Sequence, residues 1–289
     1  MPGSATPRDK AMGIGLVVAA TMAFAISDLL TKFVVADVNP FVIIWCRYIT
    51  FAALTVPFLW RRPAVSLFET QSKRMQILRA SGAFGSAVFF TSGLIWMPLA
   101  DAAAIGFVSP LVVVVLSALF LGEKVTPAHA LAALAGFVGV LLIIRPGSGQ
   151  FGLSAFFPVV SAFCWAMALI CTRQMSTHES RRVTAAFTAV FGLIGSSLIL
   201  PFVWVMPPAH TIPSLIGLAT IGTLGHVFTV AAYTYLPASR LAPLSYVQLL
   251  WVTGLSAIFL NHLPGLWSLI GMAMIVGSGL YIASYRAKL

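Results

Sequence analysis

The chain is poor in charge. Asp, Glu, Lys and Arg make up 8% of its 289 residues against 60% hydrophobic, with a mean hydropathy of +0.99. That leaves too little polar surface to cover a water-soluble globule, and points to an integral membrane protein. Acidic residues are scarcest, 7 against 17 Lys and Arg, and Asp28 is the one aspartate deep in an apolar stretch. A mechanism needing two paired aspartates therefore has no second member. Cys46, Cys164 and Cys171 lie in apolar segments without ligand-like spacing, so neither a metal site nor a disulfide framework follows. The GxxxxGKS/T, HExxH and GxSxG patterns are all missing, which argues against an ATP-driven pump and against the corresponding hydrolases. No enzyme activity and no cofactor is expected. The net charge of +10 does not signal nucleic acid here, because the position of each charge in the membrane decides its meaning.

What the chain does contain is a repeat. Met97-Pro98-Leu99-Ala100-Asp101, an apolar stretch through Ser109-Pro110, and Phe120-Leu121-Gly122-Glu123 return at an offset of 139 residues. The second copy reads Leu236-Pro237-Ala238-Ser239-Arg240, an apolar stretch through Gln248, and Phe259-Leu260-Asn261-His262. Upstream Phe89 meets Phe228, and downstream Gly139 meets Gly279 at an offset of 140. A period this long is a duplicated multi-helix unit rather than a solenoid repeat.

A membrane-spanning helix needs about 20 apolar residues. Ten stretches qualify: 11–35, 40–60, 75–96, 100–121 and 127–145, then 151–172, 183–205, 212–236, 241–260 and 264–284. The prediction is an all-α membrane fold of ten transmembrane helices, one domain made of two five-helix halves, 11–145 and 151–285. Residues 1–10 are short and polar with no small-residue cleavage site after the first apolar segment, which is read as a retained helix. Most joints carry loop punctuation such as Asn39-Pro40, Arg145-Pro146-Gly147 and Pro207-Pro208. With the N-terminus inside, 14 of the 17 basic residues fall at cytoplasmic ends: Arg8, Lys10, Arg61, Arg62, Lys73, Arg74, Arg79, Lys124, Arg173, Arg181, Arg182, Arg240, Arg286 and Lys288. Lys32 and Arg145 fall outside and Arg47 within the membrane, so both termini are expected in the cytoplasm. Five helices per repeat invert the second copy. Asp101 is then outside and Arg240 inside, Glu123 inside and His262 outside.

Two similar halves of opposite topology can exchange conformations, which is the physical basis of alternating access about a midplane site. A secondary transporter is therefore expected, ahead of a channel, a membrane enzyme or a non-transporting scaffold. The residues also resemble a known family, the EamA-type branch of the drug/metabolite transporter superfamily. The resemblance runs from Ala11 to Tyr285. It rests on Phe120-Leu121-Gly122-Glu123-Lys124-Val125, on Ile144-Arg145-Pro146-Gly147, and on Pro243 to Trp251. Ser27 to Lys32 with Arg47-Tyr48, and Gly225-His226, are similar to a bacterial subgroup that includes riboflavin and S-adenosylmethionine carriers. The resemblance implies a multi-pass protein of the bacterial inner membrane moving a small organic metabolite, with amino-acid or drug export as the rival substrate class. It also implies a cavity lined by helices 1, 3, 4, 6, 8 and 9. The chain departs from the family pattern at Asn261-His262, where a second Gly-Glu is expected.

A charge inside a bilayer costs about 2.5–3.5 kcal/mol on insertion scales, so each needs a reason. Asp28 and Arg47 both fall about 10 Å below the outer face at 1.5 Å per residue. They can form a structural pair, or Asp28 can contact substrate or take a coupling proton. Lys32, one turn from Asp28, can compete for it or reach the headgroups. His226, mid-helix, is either a packing residue or a hydrogen-bonding and proton-relay group. Ser109 beside Pro110, Tyr246 and Gln248 in the ninth helix, and Trp165 in the sixth complete the candidate binding set. Pro110 and Pro243 can expose backbone carbonyls. Glu123 beside Lys124 is either a solvated pair or a gate. Small residues at Ala132 and Gly136, Ala135 and Gly139, and Ala273 and Gly277 suit close packing of helices 5 and 10 within the bundle or across a homodimer. The partners implied are a small-molecule substrate and the lipid bilayer.

Overall fold

In hydrocarbon a backbone must satisfy its own hydrogen bonds, so apolar runs of this length fold as helices. The structure is a computed structural model and describes residues 7–60, 70, 72–121, 127–146, 152–175, 179–236 and 241–286. The first half contains α1 (Pro7–Val34), α2 (Pro40–Trp60), α3 (Lys73–Gly93), α4 (Leu99–Gly106), α5 (Ser109–Leu121) and α6 (Pro127–Ile144). The second contains α7 (Phe156–Met175), α8 (Arg181–Val203), α9 (Ile212–Tyr235), α10 (Val247–Leu260) and α11 (Leu266–Arg286). α4 and α5 are two parts of one span, so the ten predicted spans are present.

The punctuation acts as its chemistry dictates. Pro40 and Pro127 open helices, where a missing N–H costs nothing. The Asn39 side-chain oxygen accepts a hydrogen bond from the Phe41 N–H at 3.0 Å at the start of α2. The fourth span breaks at Phe107-Val108, just before Pro110. At the equivalent place, 139 residues on, the 3-10 turn Ala242–Tyr246 gives way to α10.

Six spans are long and apolar enough to cross a membrane on composition alone, and three more segments, Ala130–Ile144, Leu244–Leu260 and Leu266–Ile282, are apolar but shorter. The remaining span, α3, is too polar for that test. Its polarity turns inward: Gln76 and Thr91 are fully buried while Ile77 and Leu78 are exposed on the opposite face.

Helix pairing shows the inverted repeat directly. α1 packs on α9 as α7 packs on α3, α1 on α10 as α7 on α5, and α2 on α9 as α8 on α3. The pairs α2–α8 and α6–α11 each map onto themselves. The bundle thus has two sides, one built on α1, α9 and α10 and the other on α7, α3 and α4–α5, closed at its edges by the two self-related pairs.

The α6–α11 edge is a glycine contact. A Cβ on Gly139 would lie 2.7 Å from the Gly271 carbonyl oxygen, so the small residues here bring two backbones together. Gly277, by contrast, has open space around it. Gly139→Ala is expected to destabilise the protein by about 1–3 kcal/mol through overpacking. Gly277→Ala should be neutral or slightly stabilising, since alanine is the better helix former. Thermal unfolding of the two variants in detergent checks both.

Candidate functional site

α1 and α9 approach closely because Gly222 lacks a side chain: a Cβ there would sit 2.9 Å from the Ser27 hydroxyl. Ser27 in turn donates to the Leu218 carbonyl oxygen at 2.8 Å, fastening the two helices. Into this junction α2 sends Arg47. Its Nη2 donates to Thr31 Oγ1 at 2.7 Å, Ser27 Oγ at 3.1 Å, the Ser27 carbonyl at 3.3 Å and Asp28 Oδ1 at 3.3 Å. The other carboxylate oxygen of Asp28 accepts from Gln248 Nε2 of α10 at 3.4 Å. One carboxylate therefore links three helices. Asp28 and Arg47 retain 13% and 25% side-chain exposure, so the pair is reachable from an internal space. Arg47 Nε is buried without a partner.

His226 of α9 lies beside this group. Its ring stacks on Phe51 of α2 at 4.9 Å and meets Phe24 of α1 edge-on at 4.9 Å. The residue is nonetheless exposed.

Across from it the α7 side carries a second polar cluster, which the charge count alone assigns to the cytoplasmic edge. Arg79 lies about 9 Å into α3 at 1.5 Å per residue. Its Nε donates to Thr172 Oγ1 of α7 at 2.7 Å, and its Nη1 donates to Thr188 Oγ1 and, at 3.5 Å, to the Thr184 carbonyl of α8. Thr172 and Thr188 pass their own protons to the Ala168 and Thr184 carbonyls, which leaves their oxygens free to accept. Gln76 donates to Thr184 Oγ1 at 3.1 Å, and Ser86 meets Ser161 at 3.0 Å. Trp165 stands on the same face of α7 as Ser161 and Thr172, spaced by four and seven residues, and is 39% exposed. The readable signal for Arg79 was Gln76, Arg79 and Ser86, polar residues at helical spacing in a span of low hydropathy.

The remaining candidates sit elsewhere. Lys32 donates to the Leu94 and Met97 carbonyl oxygens at 2.5 and 2.9 Å, holding the turn after α3. Tyr246 is buried against Phe107 and beside Gly279 of α11, its hydroxyl unpartnered. Ser109 is buried at the start of α5. Glu123 lies outside the described residues, as do Lys124 and Arg240.

Among the described residues, besides the hydrogen bond of 3.1 Å from Trp45 Nε1 of α2 to Ser197 Oγ of α8, two polar contacts cross between the sides at one end. One is Lys32 on the turn after α3. The other joins His262 Nε2 to Asp101 Oδ2 at 3.5 Å, with Asp101 buried and His262 39% exposed. The backbone explains the residues: Asn261 ends α10 in the left-handed conformation at φ 50°, which asparagine tolerates best after glycine, and this delivers His262 to Asp101. An apolar core seals that end, with Leu94, Met97, Leu99, Ala100 and Ile105 all at zero exposure.

Comparison with known proteins agrees with this architecture. Residues 11–145 and again 152–284 match the EamA-like transporter family. Similar proteins include the S-adenosylmethionine uptake transporter of Rickettsia felis, 23% identical over 277 residues that cover 96% of this chain and 94% of that one. The riboflavin transporter of Brucella anthropi is 28% identical over 286 residues, covering 92% and 96%. The pseudopaline exporter of Pseudomonas aeruginosa is 27% identical over 270 residues, covering 91% and 93%. A protein known from a crystal structure, 20% identical, shares the fold with a TM-score of 0.65 over 95% of this chain and 98% of its own. A multi-pass membrane protein built from two inverted copies of one unit, the chain belongs to the EamA-like transporter family.

Proposed function

We propose that the protein is a secondary transporter of a bacterial inner membrane that carries a small organic metabolite by alternating access, with flavin-like or adenosine-bearing compounds as its substrate class. The observation that carries this reading is the symmetric helix pairing around a polar interior, crossed at one end by two latches. Asp28, Gln248, His226 and Trp165 would meet the substrate, the carboxylate and amide by hydrogen bonds and the aromatic rings by stacking on a flat heterocycle. The named relatives, which handle S-adenosylmethionine, riboflavin and pseudopaline, support the transporter class and a polar organic cargo.

On the orientation read from the basic residues, the Lys32 and Asp101 end faces the periplasm. The described conformation is then the one closed to the outside. Opening it requires Lys32 to leave its two carbonyls and His262 to leave Asp101, while the hydrogen bonds within each side persist.

Reconstitution into liposomes tests the class. Flux of a flavin or of S-adenosylmethionine is the expected result; flux of amino acids alone would shift the substrate class, and no flux across a broad metabolite panel would point to a non-transporting scaffold. Asp28→Asn should cut transport at least about tenfold, the equivalent of 1.4 kcal/mol in recognition, while leaving the folded yield unchanged. If Asp28 served only to neutralise Arg47, the variant would instead lose about 3–5 kcal/mol of stability, because a buried charge would be left alone. On a cysteine-free background, Asp101→Cys with His262→Cys should transport until a short bifunctional thiol reagent bridges the pair, and then stop. Unchanged transport by the bridged protein would sink the gate assignment.

A further inference from the structure

The two polar clusters are related by the repeat but differ in charge. Position 79 falls on Leu218 at the 139-residue offset, and Leu218 is where Ser27 fastens α9 beside Arg47 and Asp28. At offsets of 139 to 141, the registers that the repeat shows along its length, Asp28 falls on Met167, Ala168 or Leu169, so the second copy of the unit has no acid to match. The guanidinium on one side is therefore balanced and the one on the other is not. Among the described residues no carboxylate lies within ion-pair distance of Arg79. Its partners are threonine hydroxyls and one backbone carbonyl, and Nη2 has no hydrogen-bond partner among the described residues. Neutral oxygens orient a guanidinium without cancelling its charge. Arg79 is thus held by threonines of two helices and unpaired with any carboxylate among the described residues, on the same helix as Phe84, whose ring lies 5.9 Å from that of Tyr48, the neighbour of Arg47 on α2.

We propose that Arg79 is the anion-recognising residue of the transport site, so that the cargo carries a carboxylate or phosphate group. This deepens the transporter reading and rests on it. A guanidinium with its free edge towards a low-dielectric interior attracts an anion strongly and makes charge-assisted hydrogen bonds with it. The Asp28 carboxylate, pulled on by Gln248 and Arg47, stands across the interior and suits the cationic or hydrogen-bonding end of the same molecule. The site then selects zwitterions and anions over neutral or cationic analogues. Lys73 and Arg74, at the start of the same helix, line a cleft of about 400 Å³ and extend the positive field outwards.

The test uses the full chain in detergent and matched pairs that differ in one anionic group: flavin mononucleotide and riboflavin, S-adenosylmethionine and its decarboxylated form, AMP and adenosine, tryptophan and tryptamine. Thermal shift and titration binding are read for the wild type, Arg79→Gln, Arg79→Lys and Thr188→Val. The expected result is that in at least one pair the anionic member binds the wild type about tenfold tighter or more. That preference should vanish in Arg79→Gln, survive in part in Arg79→Lys, and weaken in Thr188→Val. Preference for the neutral members, an anionic preference unchanged in Arg79→Gln, or failure of every anionic member to bind the wild type each overturns the proposal. If Arg79→Gln does not fold, Arg79→Lys and Thr188→Val decide, and full discrimination in both counts against it. Liposome flux of neutral cargo that ignores Arg79 would remove the anion assignment and leave the transporter reading standing. Anion discrimination without flux of any compound would do the reverse.

Discussion

One carboxylate holds one side of this bundle together. Arg47 could not stay within the membrane unless something answered its charge, and Asp28 does so while also accepting from Gln248, so that α1, α2 and α10 share a single junction. The junction depends on a missing side chain as much as on a charge. Gly222 lets α9 come close enough for Ser27 to reach the Leu218 carbonyl, and the same closeness at Gly225 seats Phe24 against His226. Pairing, helix contact and the placement of the imidazole are consequences of one local arrangement.

The architecture is symmetric and the chemistry is not. Each half places a guanidinium amid hydroxyls where three helices meet, yet one half includes an acid and the other has none at Met167, Ala168 or Leu169. The same contrast recurs at the ends of the fourth and ninth spans. Asn261 stands in sequence where the first copy has Gly122, and its left-handed conformation, which asparagine tolerates, closes α10. His262, standing where the first copy has Glu123, changes only the chemistry, and its ring meets buried Asp101. The departure from the family pattern at Asn261-His262 is therefore where the second copy gains its contact with Asp101. Duplication preserved what packing required and left the polar residues free to diverge.

Much of this was legible in the chain. The 139-residue offset, the ten apolar runs and their proline boundaries foretold the spans, and counting residues from the outer ends put Asp28 and Arg47 at one depth. Arg79 was not legible by the same means. Counting basic residues by loop assigns it to the cytoplasmic edge, because the three threonines that surround it lie on two other helices about a hundred residues away in sequence. Lys32 was misjudged for a related reason. Its spacing from Asp28 suggested competition within one helix, whereas its ammonium reaches the turn after α3. Tyr246 was placed in the binding set with Gln248 of the ninth helix, and the 3-10 turn that carries it directs the ring to α11. Periodicity within a helix can be read from sequence; which helices become neighbours cannot.

The distribution of polar contacts also bears on how such a bundle could move. The strongest sets, Asp28 with Arg47 and Gln248, and Arg79 with its threonines, lie within a side, where they are shielded and mutually supporting. The contacts between sides are fewer and weaker by design of their surroundings. Lys32 gives up two carbonyls that water can replace, and the half-exposed His262 can be rehydrated as it withdraws. Separating the sides at that end would leave each side's own contacts intact, so the proposed cycle calls for a rigid rocking of one side against the other. For the proposed cycle the asymmetry has a direct consequence. A cargo with its anionic group on Arg79 and its cationic or hydrogen-bonding end on Asp28 would itself bridge the two sides, adding a further cross-contact in the interior, and occupancy would then bias the equilibrium between the two ends through contacts that differ between them.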